Sequence, residues 1–232
     1  MDQEIDRSLA LHPSRELSAH QTGESRILGA MIQESLAVVK DAESEAEKLA
    51  ALVREAKRIQ DSVAGMTPNN VKAYHLLLRA AQAGHAEAQY ELALCFSFSI
   101  GTGSDQSKGH YWIRQSAEQG FDEAQHKMGN WARGSGKFAE SAEWYRKAAE
   151  QGHSEAQSIL SNCYATGTGV PQNYCAAYAW AQLVADAEAD PDGGNAWSQH
   201  EATSIASWLS TSQLEEAQKL FQDFKQKFSA KR

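Results

Sequence analysis

The sequence predicts an all-α fold: a right-handed α-solenoid of stacked helix-turn-helix units, with a long N-terminal helix and a C-terminal capping helix. Three observations predict it. Glu87-Ala88-Gln89, Glu123-Ala124-Gln125 and Glu155-Ala156-Gln157 recur at spacings of 36 and 32 residues. Each triplet begins three residues after a glycine (Gly84, Gly120, Gly152) and is followed by a large apolar residue (Leu92, Met128, Leu160). Trp112, Trp144 and Trp180 recur at spacings of 32 and 36, each ahead of a small or apolar pair (Ser116-Ala117, Ala148-Ala149, Val184-Ala185). A period near 34 residues marks paired helices that bury their apolar faces only by stacking on neighbours.

Within one unit, Ala88, Leu92 and Phe96 step by four residues and share one face of a first helix. The second helix carries the tryptophan and then alanines, which permit close backbone approach. The glycine before each triplet suits the left-handed residue that ends a helix.

The elements follow in order. Residues 1–24 are polar, with Pro13 and Gly23, and read as an arm. Residues 25–66 read as one helix, a heptad-like ladder through Leu28, Ile32, Val39, Leu49 and Val53. A continuous helix over Ser25–Ala64 would be about 60 Å long. It serves either as a cap folded onto the solenoid or as a coiled-coil element for self-association or a partner. Gly65 to Asn70, with Pro68, break it. The repeats occupy 67–187: a partial unit 67–84, in which Leu76 takes the tryptophan slot, then 85–120, 121–152 and 153–187. The first helix missing from the partial unit is expected from the segment before Gly65. The remainder, 188–232, holds an Asp/Gly-rich loop, a degenerate first helix from Ala196 to Leu209 with Trp197, Ile205 and Trp208, and a last helix. Ser212 with Glu215 is expected to form a capping box at the start of that helix.

These residues resemble Sel1-like repeats, relatives of the tetratricopeptide repeat. The third unit carries the resemblance best, through Leu160, Tyr164, Gly167-Thr168-Gly169-Val170 and Trp180. The second ends in Trp144-Tyr145-Arg146-Lys147-Ala148-Ala149-Glu150-Gln151-Gly152 but replaces the longer loop by Arg133-Gly134-Ser135-Gly136. The resemblance implies protein–protein scaffolding through a groove lined by the first helices. It places Tyr90 and Leu94 in that groove from the first unit, His126, Asn130 and Arg133 from the second, and Ser158 and Asn162 from the third. Asn130 and Asn162 share one slot, from which an amide could grip an extended peptide. Glu87, Glu123 and Glu155 open each first helix and suit its dipole.

Composition narrows the function classes. The net charge is −8 without a basic stripe, which disfavours nucleic acid. No apolar run reaches membrane-spanning length, and the start, Met1-Asp2-Gln3-Glu4, lacks the features of a secretory signal, so the expectation is cytoplasmic. Cys95, Cys163 and Cys175 are odd in number and read as buried thiols. No metal-ligand spacing, phosphate loop or nucleophile elbow occurs, and no cofactor is expected. Gly101-Thr102-Gly103 and Gly167-Thr168-Gly169 read as equivalent interhelical turns. The expected function is a non-enzymatic adaptor for another protein. The alternatives are a dedicated chaperone or toxin-neutralising partner in a bacterial secretion system and, from another class, a hydrolase with an unrecognised site.

Overall fold

A computed structural model describes residues 29–33, 44–60, 64–187 and 196–229. The arm 1–24, most of the helix expected before Ser44, and the loop 188–195 lie outside the described residues. Among the described residues ten helices follow Ser44: α1 (Glu45–Ile59), α2 (Pro68–Gln82), α3 (Ala86–Phe98), α4 (Gln106–Glu118), α5 (Asp122–Gly134), α6 (Phe138–Ala149), α7 (Ser154–Thr166), α8 (Tyr174–Ala187), α9 (Ala196–Ala206) and α10 (Thr211–Ser229). No strand occurs among the described residues, and the chain is an all-α solenoid of helical hairpins. It divides into two compact units, Met1–Gly109 and His110–Arg232.

In the first unit, α1 is not the middle of one long helix. Ser44 is extended (φ −128°, ψ 156°), and its hydroxyl accepts the Glu47 N–H at 3.2 Å, so a new helix begins there. The heptad-like reading through this point missed a serine cap followed by Glu45 and Glu47 in the first turn. α1 packs on α2 and buries Leu52, Val53 and Ala56. Lys57 then reaches Glu87 (2.6 Å) and Glu91 (2.8 Å) of α3. The apolar face of α1 is thus spent within the chain, in the place of the first helix that α2 lacks. α2 starts at Thr67, whose hydroxyl caps the Asn70 N–H, and Pro68 stands where its missing N–H costs nothing. Leu76, in the tryptophan slot, is fully buried.

The turn after α3 corrects one alignment. Counted from the equivalent Cys95 and Cys163, Gly167 (φ 75°) corresponds to Ser99 (φ 57°) and Gly169 to Gly101. The two Gly-Thr-Gly sequences are therefore out of register by two residues. The equivalent backbone turns carry different sequences, and Ser99 holds a left-handed position that glycine holds two repeats later. Gly101 and Gly169 do correspond. A Cβ at Gly101 would lie 2.1 Å from the Asn70 carbonyl oxygen, and one at Gly169 would lie 2.1 Å from that of Phe138.

In the second unit, α5 and α6 form one hairpin and α7 and α8 the next, with α7 packed on α6. Three residues link α5 to α6, whereas seven link α7 to α8, which accounts for the shorter repeat. α9 packs on α8, burying Ala202 and Ile205 with Ala177 and Ala181. α10 also packs on α8: Trp180 meets Phe224 at 4.7 Å and stacks on Phe228 at 5.5 Å between ring centres. The capping pair of α10 is Ser210 with Gln213, not Ser212 with Glu215. The Ser210 N–H donates to Gln213 Oε1 (3.0 Å) and the Gln213 N–H to Ser210 Oγ (3.4 Å). Gln serves the box as well as Glu does, and helix α10 begins two residues earlier than that reading placed it.

Candidate partner-binding face

The most repetitive residues build joints. Gln89, Gln125 and Gln157 are buried, and each donates its amide across a turn to a carbonyl near the end of the preceding helix. The acceptors are Ala81 (3.2 Å), Ala117 (3.2 Å) and Ala149 (3.0 Å). Each of these carbonyls also accepts the N–H of the glycine three residues on (Gly84, Gly120, Gly152; 3.0 Å each), so the glutamine supplies a second bond at the helix end and ties it to the next helix. His85 and His153 cap the following helices, their Nδ1 atoms accepting the N–H of Ala88 (3.3 Å) and Ala156 (3.2 Å). The triplet glutamates do more than face a helix dipole. Glu87 pairs with Lys57, Glu123 stands 3.3 Å from His153 Nε2, and Glu155 stands 3.6 Å from His126 Nε2.

The helices of each second-unit hairpin cross at small residues. Ser141 donates its hydroxyl to the Gly129 carbonyl (2.8 Å), and Ser161 donates to the Ala177 carbonyl (2.9 Å). The same bond is made from opposite sides. A Cβ on Gly129 would come within 2.6 Å of the Tyr145 ring. Tyr145 stands where the neighbouring repeats have Ile113 and Ala181, so a larger side chain on one helix is matched by a missing one on the other.

These joints leave two slots on each first helix that differ between repeats: Tyr90, His126 and Ser158 in one, Leu94, Asn130 and Asn162 in the other. In the first unit, Tyr90 and Leu94 are both half-buried on α3. In the second unit the slots diverge. His126 is 4% exposed and turned into the layer. Its Nε2 lies 3.2 Å from Asn130 Nδ2, while Asn130 Oδ1 accepts the Tyr145 hydroxyl at 2.8 Å. Asn130 is thus committed internally. Asn162 and Arg133 are exposed, and Ser158 is half-buried. The structure therefore brings His126 and Asn130 together with Tyr145 and His153, a cluster the sequence pattern did not reveal. The available signal was Gly129 paired with Tyr145.

Burial, outweighing the pull of Glu155, holds the His126 imidazole below its ordinary pKa, and burial raises the Tyr145 phenol. Burial also pushes the Cys95 thiol up to about 12 and raises Cys163, so neither is a ready thiolate. Among the described residues no three His, Cys, Asp or Glu side chains form a metal site, and no helix is long and apolar enough to cross a membrane.

The Sel1 repeat matches the sequence at residues 60–85, 86–121, 122–153 and 154–188. Two similar solved structures are a Sel1 repeat protein from Oxalobacter formigenes and a protective antigen present in uropathogenic Escherichia coli strains, which displays an SLR fold. The first is 27% identical, with 55% of this chain and 95% of that one covered and a TM-score of 0.49. The second is 20% identical, with 89% of this chain and 56% of that one covered and a TM-score of 0.47. A search of curated proteins finds no match. Four successive repeat matches span more than half of the sequence, and the first includes α2, whose Leu76 replaces the tryptophan: this chain belongs to the Sel1 repeat family.

Proposed function

We propose that this chain is a non-enzymatic adaptor that binds another protein through the variable slots of its first helices. Sel1 repeats generally mediate protein–protein interaction. The observation that carries the reading here is a division of labour among side chains. The repeated glutamines, the two histidine caps and the small crossing residues are consumed in holding hairpins together. The slots that differ from repeat to repeat make none of the joints in the third unit, where Asn162 is exposed and Ser158 half-buried. Arg133 adds an exposed guanidinium at the end of α5. Tyr90 and Leu94 offer an aromatic and an aliphatic contact in the first unit. A partner on the second compact unit meets an exposed amide and a cation, and one on the first meets an apolar pair, each on a scaffold of one design, which is how a repeat fold changes specificity without changing its core.

The test is affinity capture from the native lysate with the intact chain, a variant carrying Arg133→Ala and Asn162→Ala, and a control carrying Glu143→Ala, an exposed residue of α6. The expected result is a partner retained by the intact chain and the control but lost by the double variant, with helicity unchanged in all three. A partner retained equally by all three would overturn the assignment of the face. One stoichiometric protein would narrow the adaptor to a dedicated chaperone or neutralising partner; several would make it a scaffold.

A further inference from the structure

In the second compact unit, α8 and α10 pack side by side and are tied at two points. The Cys175 thiol donates to the Gln213 carbonyl at 3.5 Å, and Lys225 pairs with Asp186 at 2.8 Å. Between these helices lies a cleft of about 460 Å³, lined by Tyr178 and Gln182 of α8 and by Gln218, Lys219, Phe221 and Gln222 of α10. Elsewhere this chain spends its glutamines on joints. Gln89, Gln125, Gln151, Gln157 and Gln172 all donate to backbone carbonyls at 2.8–3.2 Å. The side chains of the three cleft glutamines, with Lys219 and the Tyr178 hydroxyl, have no hydrogen-bond or ion-pair partner among the described residues. We propose that this cleft binds a short extended segment of a partner protein, one that presents an apolar side chain and a carboxylate.

The lining selects that class of ligand. A primary amide carries both donors and an acceptor, and each residue of an extended backbone offers one of each. Free amides therefore match a peptide backbone, whereas a purely apolar surface would leave them unsatisfied. Phe221 is buried and Tyr178 half-buried, so an apolar side chain has two rings to pack on. Lys219 is the one charged residue of the lining. Glu215 and Asp223 lie a turn to either side of it on α10, outside the lining, and it pairs with neither. A carboxylate entering the cleft thus meets an ammonium that no carboxylate has neutralised. The size agrees. Cys175 and Asp186 stand about 16 Å apart along α8, the length of about five extended residues. The cleft is built by α8 and α10, so it stands independently of the first-helix slots.

The test is selection of displayed random peptides, about seven residues long to cover the cleft, on the intact chain, with the enriched peptides then titrated by fluorescence anisotropy. The expected result is a family of peptides sharing an apolar residue and an Asp or Glu. Gln218→Ala combined with Gln222→Ala, both exposed on α10, is expected to weaken these peptides about tenfold or more, the effect of losing a few hydrogen bonds. Lys219→Glu is expected to abolish the preference for an acidic residue on reselection. Arg133→Ala combined with Asn162→Ala is expected to change nothing. Circular dichroism of each variant checks that folding is retained. No enrichment over an unrelated helical protein, equal affinity for the glutamine variant, or an unaltered preference after Lys219→Glu would each overturn the site. Peptides lost only with Arg133 and Asn162 would overturn the cleft while leaving the adaptor reading standing. An intact chain that sediments as a dimer, and as a monomer once the two glutamines are replaced, would overturn the peptide in favour of a second copy.

Discussion

At the scale of single residues, the fold turns on where a Cβ is absent or misplaced. Gly129 lies against the face of Tyr145, and a methyl group there forces the ring away from Asn130. Gly129→Ala is expected to cost about 1–3 kcal/mol in urea denaturation, the usual range for overpacking. Combining it with Tyr145→Ala, which restores the pairing of small residues seen at Ser161 and Ala181, should cost less than the sum of the two single changes. Strict additivity would mean that the ring and the missing Cβ do not constrain each other. Ser99 is the opposite case, a side chain in a left-handed position that costs a non-glycine residue about 1–2 kcal/mol. After the entropy glycine loses on folding, Ser99→Gly should stabilise the chain by about 0.5–1 kcal/mol, seen as a higher Tm. An unchanged or lower Tm would show that the serine makes a compensating contact. The glycine loops were visible in the sequence, but their register was not. Gly-Thr-Gly repeats as letters, whereas the structure aligns backbone conformations, and there Ser99 answers to Gly167.

At the scale of the element, the triplet Glu-Ala-Gln identified the start of each first helix, because a motif repeated in register has few explanations. What it did not disclose was the destination of the glutamine amide. That destination is a carbonyl eight residues upstream on another helix, and no periodicity within one helix encodes it. Gln157→Ala would leave the Ala149 carbonyl with the Gly152 N–H as its partner and remove the bond that ties it to α7. The expected cost is about 0.5–1.5 kcal/mol, the net worth of one hydrogen bond, together with faster exchange where α6 meets α7. A neutral substitution would mean that the glutamine bond adds nothing to the joint. The candidate site was legible to a similar depth. The sequence placed Asn130 and Asn162 in one slot and His126 in another from their spacing. It could not show that His126 and Asn130 turn inward, because that depends on Tyr145, a residue of the other helix that replaces an alanine or isoleucine. Asn162 has Ala181 in the place of that tyrosine and is left exposed.

At the scale of the whole molecule, a solenoid's stability is a sum of repeat and nearest-neighbour terms, so its ends matter more than its length. The fold class was readable because the repeat is a property of the entire sequence. The terminal elements were harder to read, since they belong to no repeat and are defined by what they cover. α1 shows the difference. Its composition invites a coiled coil, yet Leu52, Val53 and Ala56 are buried against the chain and Lys57 is paired with α3. This separates two truncations that sequence alone would treat as one. Removal of residues 1–43 leaves the Ser44 cap and all of α1. Removal of residues 1–66 takes α1 as well, and with it the packing on α2 that buries Leu52 and Val53. Losing the burial of even two such side chains costs about 3–6 kcal/mol. The longer truncation should therefore lower Tm sharply, and the loss should centre on α2 and α3 in hydrogen exchange, because repeats couple most strongly to their neighbours. Equal stability of the two truncated forms would show that α1 is an appendage and that α2 closes the unit without it. Partner capture by the shorter truncation then becomes interpretable. A partner lost with residues 1–43 is bound by that segment itself, whereas one lost only with α1 is lost together with the surface that α1 holds in place.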